Sequence, residues 1–485
     1  MAKGALAFDF GASSGRAILG CYQDGKIQLK EIHRFKNTPI TENGNICWDF
    51  QAIFAEIKKA LAKGEEFESI GIDTWGVDFG FVDTDGNVLK NPVNYRDPRT
   101  KGVIEKVAEK ISMDKLYSLT GNQIMEINTI FQLYYELLNN KDMLQRVDKF
   151  LLMPDLFNYL LTGKMRAELS IASTTQLLDP YQKQWNEYIL DILGLDKSFF
   201  PMLTNPGTEL GLLKEELAQE LGIERKTVIS VCGHDTACAV AAVPADKDFI
   251  FISCGTWALF GTELNEPVIT KKSLEYNLTN EIGINGTTRF LKNLTGTWLI
   301  QETKRQFEKE NKDYTFDDME RLALEAEPFK CFMDTDLDLF TAPGDIPGRV
   351  RKYAADTKQR IPESDGEVIR CIYESLAFKY RYTYQQISEC MNRKYEQIHI
   401  VGGGSKDSLL CRMTAGASGL EVVAGPVEAT AIGNILVQLI ARGEIKNIEE
   451  GRKIVKNSFD TVSFKPSEHK VWNEHYDRFM SVIHR

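Results

Sequence analysis

The chain has 485 residues, 43% hydrophobic and 26% charged, with a formal net charge of -11. That length exceeds one ordinary core and points to two large domains, and an acidic balance without a basic block argues against nucleic acid as a partner. No apolar run approaches the roughly 20 residues that span a bilayer, the start lacks a secretion-signal pattern, and nine cysteines without a C-x-x-C pair and six histidines without metal-ligand spacing leave a reduced, cytoplasmic enzyme as the expectation.

Residues 5–35 read as three strands, Ala5–Phe10, Arg16–Tyr22 and Lys26–Phe35, with a hairpin turn at Asp24-Gly25. Between the first two lies Gly11-Ala12-Ser13-Ser14-Gly15, small residues that leave backbone N–H groups free to face an anion. Asp9 faces the same gap. A carboxylate beside a phosphate needs a cation between them, and Mg²⁺ is the usual one. The same residues also suit an ordinary hairpin loop with a solvated Asp9, and the segment alone does not choose. Asp49 caps a helix in which Phe50, Ile53, Phe54, Ile57 and Leu61 recur at helical spacing until Gly64. A buried strand, Ser69–Asp73, runs into Thr74-Trp75-Gly76-Val77-Asp78, and a further hairpin turns at Asp85-Gly86.

From Asn94 to Leu221 the chain reads as mostly helical, with clear periodicity over Ile130–Leu138 and Met153–Leu161. Within it, Asn94–Arg99 is either a solvated loop or a rim around a ligand. Thr227–Cys232 is then a short buried strand, Gly233 makes a turn, and an Ala-rich run of helix formers ends before Pro244. Asp235 thus stands at a strand end near a helix N-terminus. Open α/β sheets present catalytic groups there, and the helix favours the ionised carboxylate. Asp235 reads equally as a helix N-cap.

The second half repeats the opening: strand Asp248–Cys254, turn Gly255-Thr256, strand Trp257–Thr262, then a hairpin at Asn285-Gly286 between Glu281–Ile284 and Thr287–Leu291. This is a structural echo, the mark of a duplication. Two such turns facing each other could hold a polyphosphate. Gln397–Val401 ends in Gly402-Gly403-Gly404-Ser405, followed by a helix from Asp407 to Ala417, a strand Glu421–Val423, Gly425-Pro426 and a helix from Val427 to Arg442. Loops often contain glycine triplets, but as the third such turn this one suits an adenosine.

Phe8-Asp9-Phe10-Gly11, Ser253-Cys254-Gly255-Thr256 and Val401-Gly402-Gly403-Gly404 resemble the two phosphate motifs and the adenosine motif of the sugar kinase, heat-shock chaperone and actin superfamily. Gly233-His234-Asp235-Thr236-Ala237 narrows the resemblance to the FGGY carbohydrate kinases. Ala12–Arg16, Ile72–Phe79, Leu152–Asp155, Leu291–Asn293 with Trp298-Leu299, and Gly425–Ala429 are similar to the members of that family that act on L-rhamnulose. The likeness extends over nearly the whole chain. It implies an α/β protein with the actin-like ATPase fold: two ribonuclease H-like domains, each a duplicated β-β-β-α-β unit, with an interdomain cleft. Residues 1–245 would carry the sugar site, the first phosphate turn and the catalytic Asp; residues 246–485 would carry the second phosphate turn and the adenosine site.

The implied reaction moves the γ-phosphate of ATP to the 1-hydroxyl of L-rhamnulose, in L-rhamnose catabolism, with Mg²⁺ as cofactor and ATP as co-substrate. By position, Asp235 would be the proton acceptor. Gly76, Asp78, His234, Thr236 and Asn293 would join it at the sugar. Ala12, Ser13, Ser14, Gly15, Arg16, Thr256, Gln301, Gly402 and Gly403 would face ATP, and Asp9 would serve Mg²⁺. An unshifted, ionised Asp suffices as base, because the proton leaves late in phosphoryl transfer. The expected partners are the sugar and ATP, with no nucleic acid or membrane, in a monomer or small homo-oligomer. Some relatives carry close cysteine pairs in the C-terminal domain. Cys371 and Cys411 have no near partner in sequence here, so no disulfide is expected. One alternative is an FGGY kinase for fuculose, xylulose or glycerol; the Asp73–Phe79 run favours rhamnulose. A nucleotide-gated binding protein of the same superfamily would lack a base at the position of Asp235.

Overall fold

A computed structural model describes residues 3–246 and 248–483. The chain divides into two units. One comprises Met1–Lys247, Glu263–Phe290 and Ala429–Phe459; the other comprises Asp248–Thr262, Leu291–Glu428 and Asp460–Arg485. The first change of unit falls close to the expected division after residue 245, but two later segments return to the first unit, among them the helix Ala429–Ala441.

The first unit is built on a six-stranded sheet. Its strands are β1 (Lys3–Phe10), β2 (Ser14–Gln23), β3 (Lys26–Lys36), β4 (Ser69–Thr74), β5 (Thr208–Leu212) and β6 (Thr227–Ser230), in the order β5-β6-β4-β1-β2-β3. β1, β4 and β6 are parallel, while β2 and β5 run antiparallel to their neighbours. Every residue of β4 is buried, as a parallel strand covered on both faces requires.

The second unit repeats this plan. Its strands are β7 (Ile250–Cys254), β8 (Trp257–Leu264), β9 (Thr288–Thr295), β10 (Gln397–Val401), β11 (Glu421–Ala424) and β12 (Val462–Phe464). They neighbour one another in the order β12-β11-β10-β7-β8-β9. β7, β10 and β11 are parallel, and β8 and β12 are antiparallel to their partners. Six of the seven strands of this sheet follow the order of the first, and the seventh, Thr279–Ile282, has no counterpart there, so the echo heard in the sequence is a repeated six-strand topology. The longest helix, Asp365–Met391, starts at a capping box formed by Ser364 and Glu367 and packs on the helix Ser408–Ser418.

The helices at Phe50–Leu61, Thr129–Asn139 and Met153–Thr162 fall where periodicity puts them, and Asp235–Ala241 falls on the Ala-rich run of helix formers. The chain turns at Asp85-Gly86 as expected, in a short hairpin in which Asp83 N donates to Asn87 O and Leu89 N to Phe81 O, both at 2.9 Å. The strand Phe79–Asp83 makes only a single bridge across that turn, Val82 to Val88. Its main partner is Val147–Leu152, far away in sequence. No described helix is long and apolar enough to cross a membrane.

Candidate active site

The C-terminal ends of β1, β4 and β6 bring the chemistry of the first unit together. Asp9 on β1 lies in register with Asp73 on β4. Thr74, at the end of β4, bridges to His234 in parallel sense, and its N–H donates to the Gly233 carbonyl at 2.9 Å. Behind that turn the buried Glu168 carboxylate accepts from Gly233 N at 2.7 Å and Ile171 N at 3.1 Å, which holds Gly233 in place.

His234, rather than Asp235, is the N-cap residue of the helix Asp235–Ala241, and its side chain makes no cap hydrogen bond. Asp235 is the first helical residue, and its Oδ1 accepts from Thr236 N at 2.5 Å and Thr236 Oγ1 at 3.1 Å. Its side chain keeps 31% of its surface exposed. The expected unshifted acid needs correction: burial raises the Asp235 carboxyl above its ordinary value and the Asp9 charge adds to this, while His234 and Thr236 oppose the rise.

Arg16 Nη2 sits 2.5 Å from Asp9 Oδ2, so the cation beside Asp9 on the first turn is a guanidinium of this chain. Asp73 is fully buried. Burial first, and then the neighbouring Asp9, push its carboxyl well above the ordinary range, against a 2.6 Å hydrogen bond from Asn434 Nδ2 to Oδ2. Asp73 Oδ1 has no hydrogen-bond partner. Adjacent hard oxygens, one of them orphaned, fit Mg²⁺. Among the described residues no group of three His, Cys, Asp or Glu forms a metal cage.

On the first turn, Gly11 N donates to Ser14 O at 2.9 Å, and Asn37 Nδ2 donates to Gly11 O at 3.0 Å. Ser13 is exposed, and Ala12 and Ser14 are half-buried. Gly15 is buried, and a Cβ there would overlap the Phe35 ring, so it can face ATP only with its backbone.

The segment after β4 forms a wall. Asp78, expected at the sugar, is only 1% exposed. Its Oδ2 accepts from Trp48 Nε1 at 2.6 Å, Trp75 Nε1 at 3.0 Å and Tyr95 N at 3.1 Å, and its Oδ1 from Gln132 Nε2 at 3.2 Å. Burial pushes its pKa up to about 6 against the pull of these donors. Asp78 therefore fixes the Trp48–Trp75 pair, whose ring centroids lie 4.2 Å apart. Between Gly76 and Asp78 the chain makes a γ-turn, with Asp78 N to Gly76 O at 2.9 Å and Val77 at φ 67°. A β-branched residue in the left-handed region is strained. Thr129 Oγ1 at 2.7 Å from Val77 O and Thr174 Oγ1 at 3.2 Å from Val77 N hold it there. Gly76 faces the His234 ring, 3.4 Å from Nε2 to the site of an added Cβ. The Asn94–Arg99 segment is no solvated loop: Tyr95 serves Asp78, Asp97 Oδ2 accepts from Ile46 N at 2.7 Å, and Arg99 pairs with Glu136 at 2.6 Å.

In the second unit, Gly255 O accepts from Thr297 N at 2.9 Å and Thr297 Oγ1 at 2.8 Å, and Gln301 Nε2 donates to Thr297 Oγ1 at 2.9 Å. Thr256 and Gln301 thus belong to one neighbourhood. Gly402, at φ 83°, and Gly404 close against Cys254 at the end of β7, while Gly403 and Gly255 face open space. Asn293 is half-buried on β9.

Sequence reasoning missed Glu168, Asn434, Glu281 and Arg289. Asn434 carried a signal: it and Gln438 are polar residues four apart inside an otherwise apolar helix, the spacing of one buried face.

Residues 5–242 match the FGGY family of carbohydrate kinases, N-terminal domain, and residues 250–442 match its C-terminal domain. The chain is 40% identical to the rhamnulokinase of Bacteroides thetaiotaomicron over 488 residues, which covers 100% of each. It is 42% identical to that of Oceanobacillus iheyensis over 463 residues, 95% of this chain and 97% of the relative. Among solved structures it is similar to a gluconate kinase from Lactobacillus acidophilus, with a TM-score of 0.82 at 15% identity over 99% and 98% of the two chains. It is also similar to the Plasmodium falciparum glycerol kinase with ADP, with a TM-score of 0.81 at 14% identity over 100% and 98%. At such identities the structural likeness carries the two-domain α/β fold alone.

Proposed function

Since this chain belongs to the FGGY family of carbohydrate kinases, we propose that it transfers the γ-phosphate of ATP to the 1-hydroxyl of L-rhamnulose, giving L-rhamnulose 1-phosphate and ADP. The observation that carries the substrate is the identity of about 40% to rhamnulokinases along the whole chain. The strand-end position of Asp235 beside His234 supports the chemistry.

Phosphoryl transfer asks for positioning and charge stabilisation more than for a strong base. In this reading Asp235 accepts the hydroxyl proton, and His234, Thr236, Gly76 and Asn293 orient the sugar. Asp78 acts on the sugar through the tryptophans it holds. Ala12, Ser13 and Ser14 take phosphate oxygens on the first turn; Thr256 and Gln301 take them on the second. Gly402 and Gly403 lie under the adenosine, and Arg16 stays with Asp9. Bound Mg²⁺ would supply charge neutralisation for the phosphates, with Asp9 and the orphaned oxygen of Asp73 as the groups to hold it through water. All nine cysteines are free, which suits a reducing compartment, and we assign the enzyme to the cytoplasm.

The test is ADP release in a coupled assay against L-rhamnulose, fuculose, xylulose and glycerol. The highest kcat/KM is expected for L-rhamnulose. A higher value for any of the others would overturn the substrate and leave the kinase standing. The nucleotide side has its own test. An added Cβ at Gly403 meets nothing within 4 Å, so Gly403→Ala is expected to melt as the parent does. Its ATP KM should rise severalfold, with the ketose KM unchanged. Unchanged ATP KM would remove Gly403 from the adenosine shelf.

A further inference from the structure

The inference drawn here rests on the ketose-kinase reading and concerns what His234 offers the sugar. An imidazole donates from one nitrogen and accepts at the other, and its neighbours decide which does which. Behind the His234 ring lies a buried ion pair. Arg289, 0% exposed, contacts Glu281 at 3.1 Å from Nη2 to Oε2. The same Nη2 lies 3.2 Å from His234 Nδ1. Glu281 Oε2 is also 3.2 Å from that nitrogen.

The two neighbours make opposite demands. A guanidinium has donors and no acceptor, so its hydrogen bond requires a bare Nδ1. A carboxylate has acceptors only and would require a hydrogen on Nδ1. Geometry separates them: the Arg289 contact is aligned as a hydrogen bond, whereas Glu281 Oε2 is buried with no aligned donor. Glu281 balances the buried charge of Arg289, which would be costly alone. Burial would raise the Glu281 carboxyl, but the charge of Arg289 opposes it, and the group lies below its ordinary value. Arg289 is anchored by two bonds to the Ile282 carbonyl, from Nε at 3.2 Å and Nη2 at 3.1 Å. Its Nη1 is left buried without a hydrogen-bond partner. The guanidinium is thus set for the ring at the expense of its own solvation.

We infer that Arg289 is a positioning residue for sugar phosphorylation: its bond to Nδ1 holds His234 as the neutral Nε2–H tautomer, with that N–H facing Asp235 and the sugar. Nε2 lies 3.5 Å from Asp235 Oδ1. The two neighbours then divide the work. His234 can only donate to a sugar oxygen, and Asp235 is left as the acceptor for the hydroxyl proton. A ring held the other way would compete with Asp235 for that proton.

The test reads the ring directly. In full-length protein labelled with ¹⁵N-histidine, long-range proton–nitrogen NMR reports which nitrogen carries hydrogen, and His234→Gln identifies the signal. Nε2 is expected to be protonated and Nδ1 bare; a protonated Nδ1, in either the neutral ring or the imidazolium, overturns the inference. This measurement needs no substrate and no variant of the pair. The second arm replaces both partners, Arg289→Met with Glu281→Gln, so that no lone charge is left buried. In a variant that melts as a folded protein, the ketose KM should rise severalfold, with the ATP KM unchanged. Parental ketose KM in the folded variant would equally overturn the positioning role. A parent inert toward every ketose would overturn the substrate reading, while NMR would still decide the tautomer.

Discussion

Asp235→Asn is expected to fold normally, to bind both substrates and to lose on the order of a hundred- to ten-thousand-fold in kcat, the usual range for removal of a general base. The structure sharpens the choice between a base and a cap. His234 holds the N-cap position, and what Asp235 gives the helix is one oxygen that accepts from Thr236 N and Oγ1. Asn offers an oxygen of the same size in the same place. A purely local role therefore predicts near-parental turnover and melting temperature. An asparagine cannot take the hydroxyl proton, so a catalytic role predicts a loss confined to kcat, because the interaction matters in the transition state. Steady-state kinetics beside a melting curve separates the two, and a folded variant with near-normal kcat would remove Asp235 from the mechanism. The parent adds a second signature. Burial raises the Asp235 carboxyl, so its ionised fraction falls at a higher pH than for an ordinary Asp. The acidic limb of kcat/KM should sit above the usual carboxylate range, and the variant should lack it.

Much of this site was legible because its parts are local. The strand Ser69–Thr74, the turn after β6 and the glycines after β10 announce themselves through apolar runs broken by small residues. Asp9, His234 and Asp235 could be read because each stands at such a break. Asp78 was misread for the opposite reason. The family resemblance places it at the sugar, and only the fold shows that Trp48, Tyr95 and Gln132 occupy its oxygens first. Glu281 and Arg289 lay beyond local reading altogether. They sit on strands that read as hairpin arms, and nothing in that hairpin indicates that His234 lies against them. The domain division shows the same limit. Residues 429–441 read as an apolar helix well inside the second half, and their return to the first unit rests on tertiary contacts with β1, β4 and the helix of Asp235.

That return explains the second large effect. Gly433→Ala is expected to destabilise the first unit by about 3 kcal/mol or more, at the upper end for overpacking, and to lower Tm by roughly 6 °C or more. The helix Ala429–Ala441 packs on Asp235–Ala241 so closely that a Cβ at Gly433 would overlap the Cys238 carbonyl oxygen. The obstacle is backbone, so no rotamer can relieve it. One helix must move away from the other. Asn434, next in sequence, donates to Asp73, and Gln438, one turn on, donates to the Leu6 carbonyl at 3.1 Å. A shift of this helix therefore loosens both the bed under Asp235 and the partner of Asp73. The loss of kcat should accompany the loss of Tm, in contrast to Asp235→Asn, where kcat falls alone. Gly403→Ala, on a glycine with open space around it, supplies the control for glycine replacement as such. Parental melting in Gly433→Ala would mean that the two helices are not in contact at this residue, and the link from Ala429–Ala441 to the helix of Asp235 would fall with it.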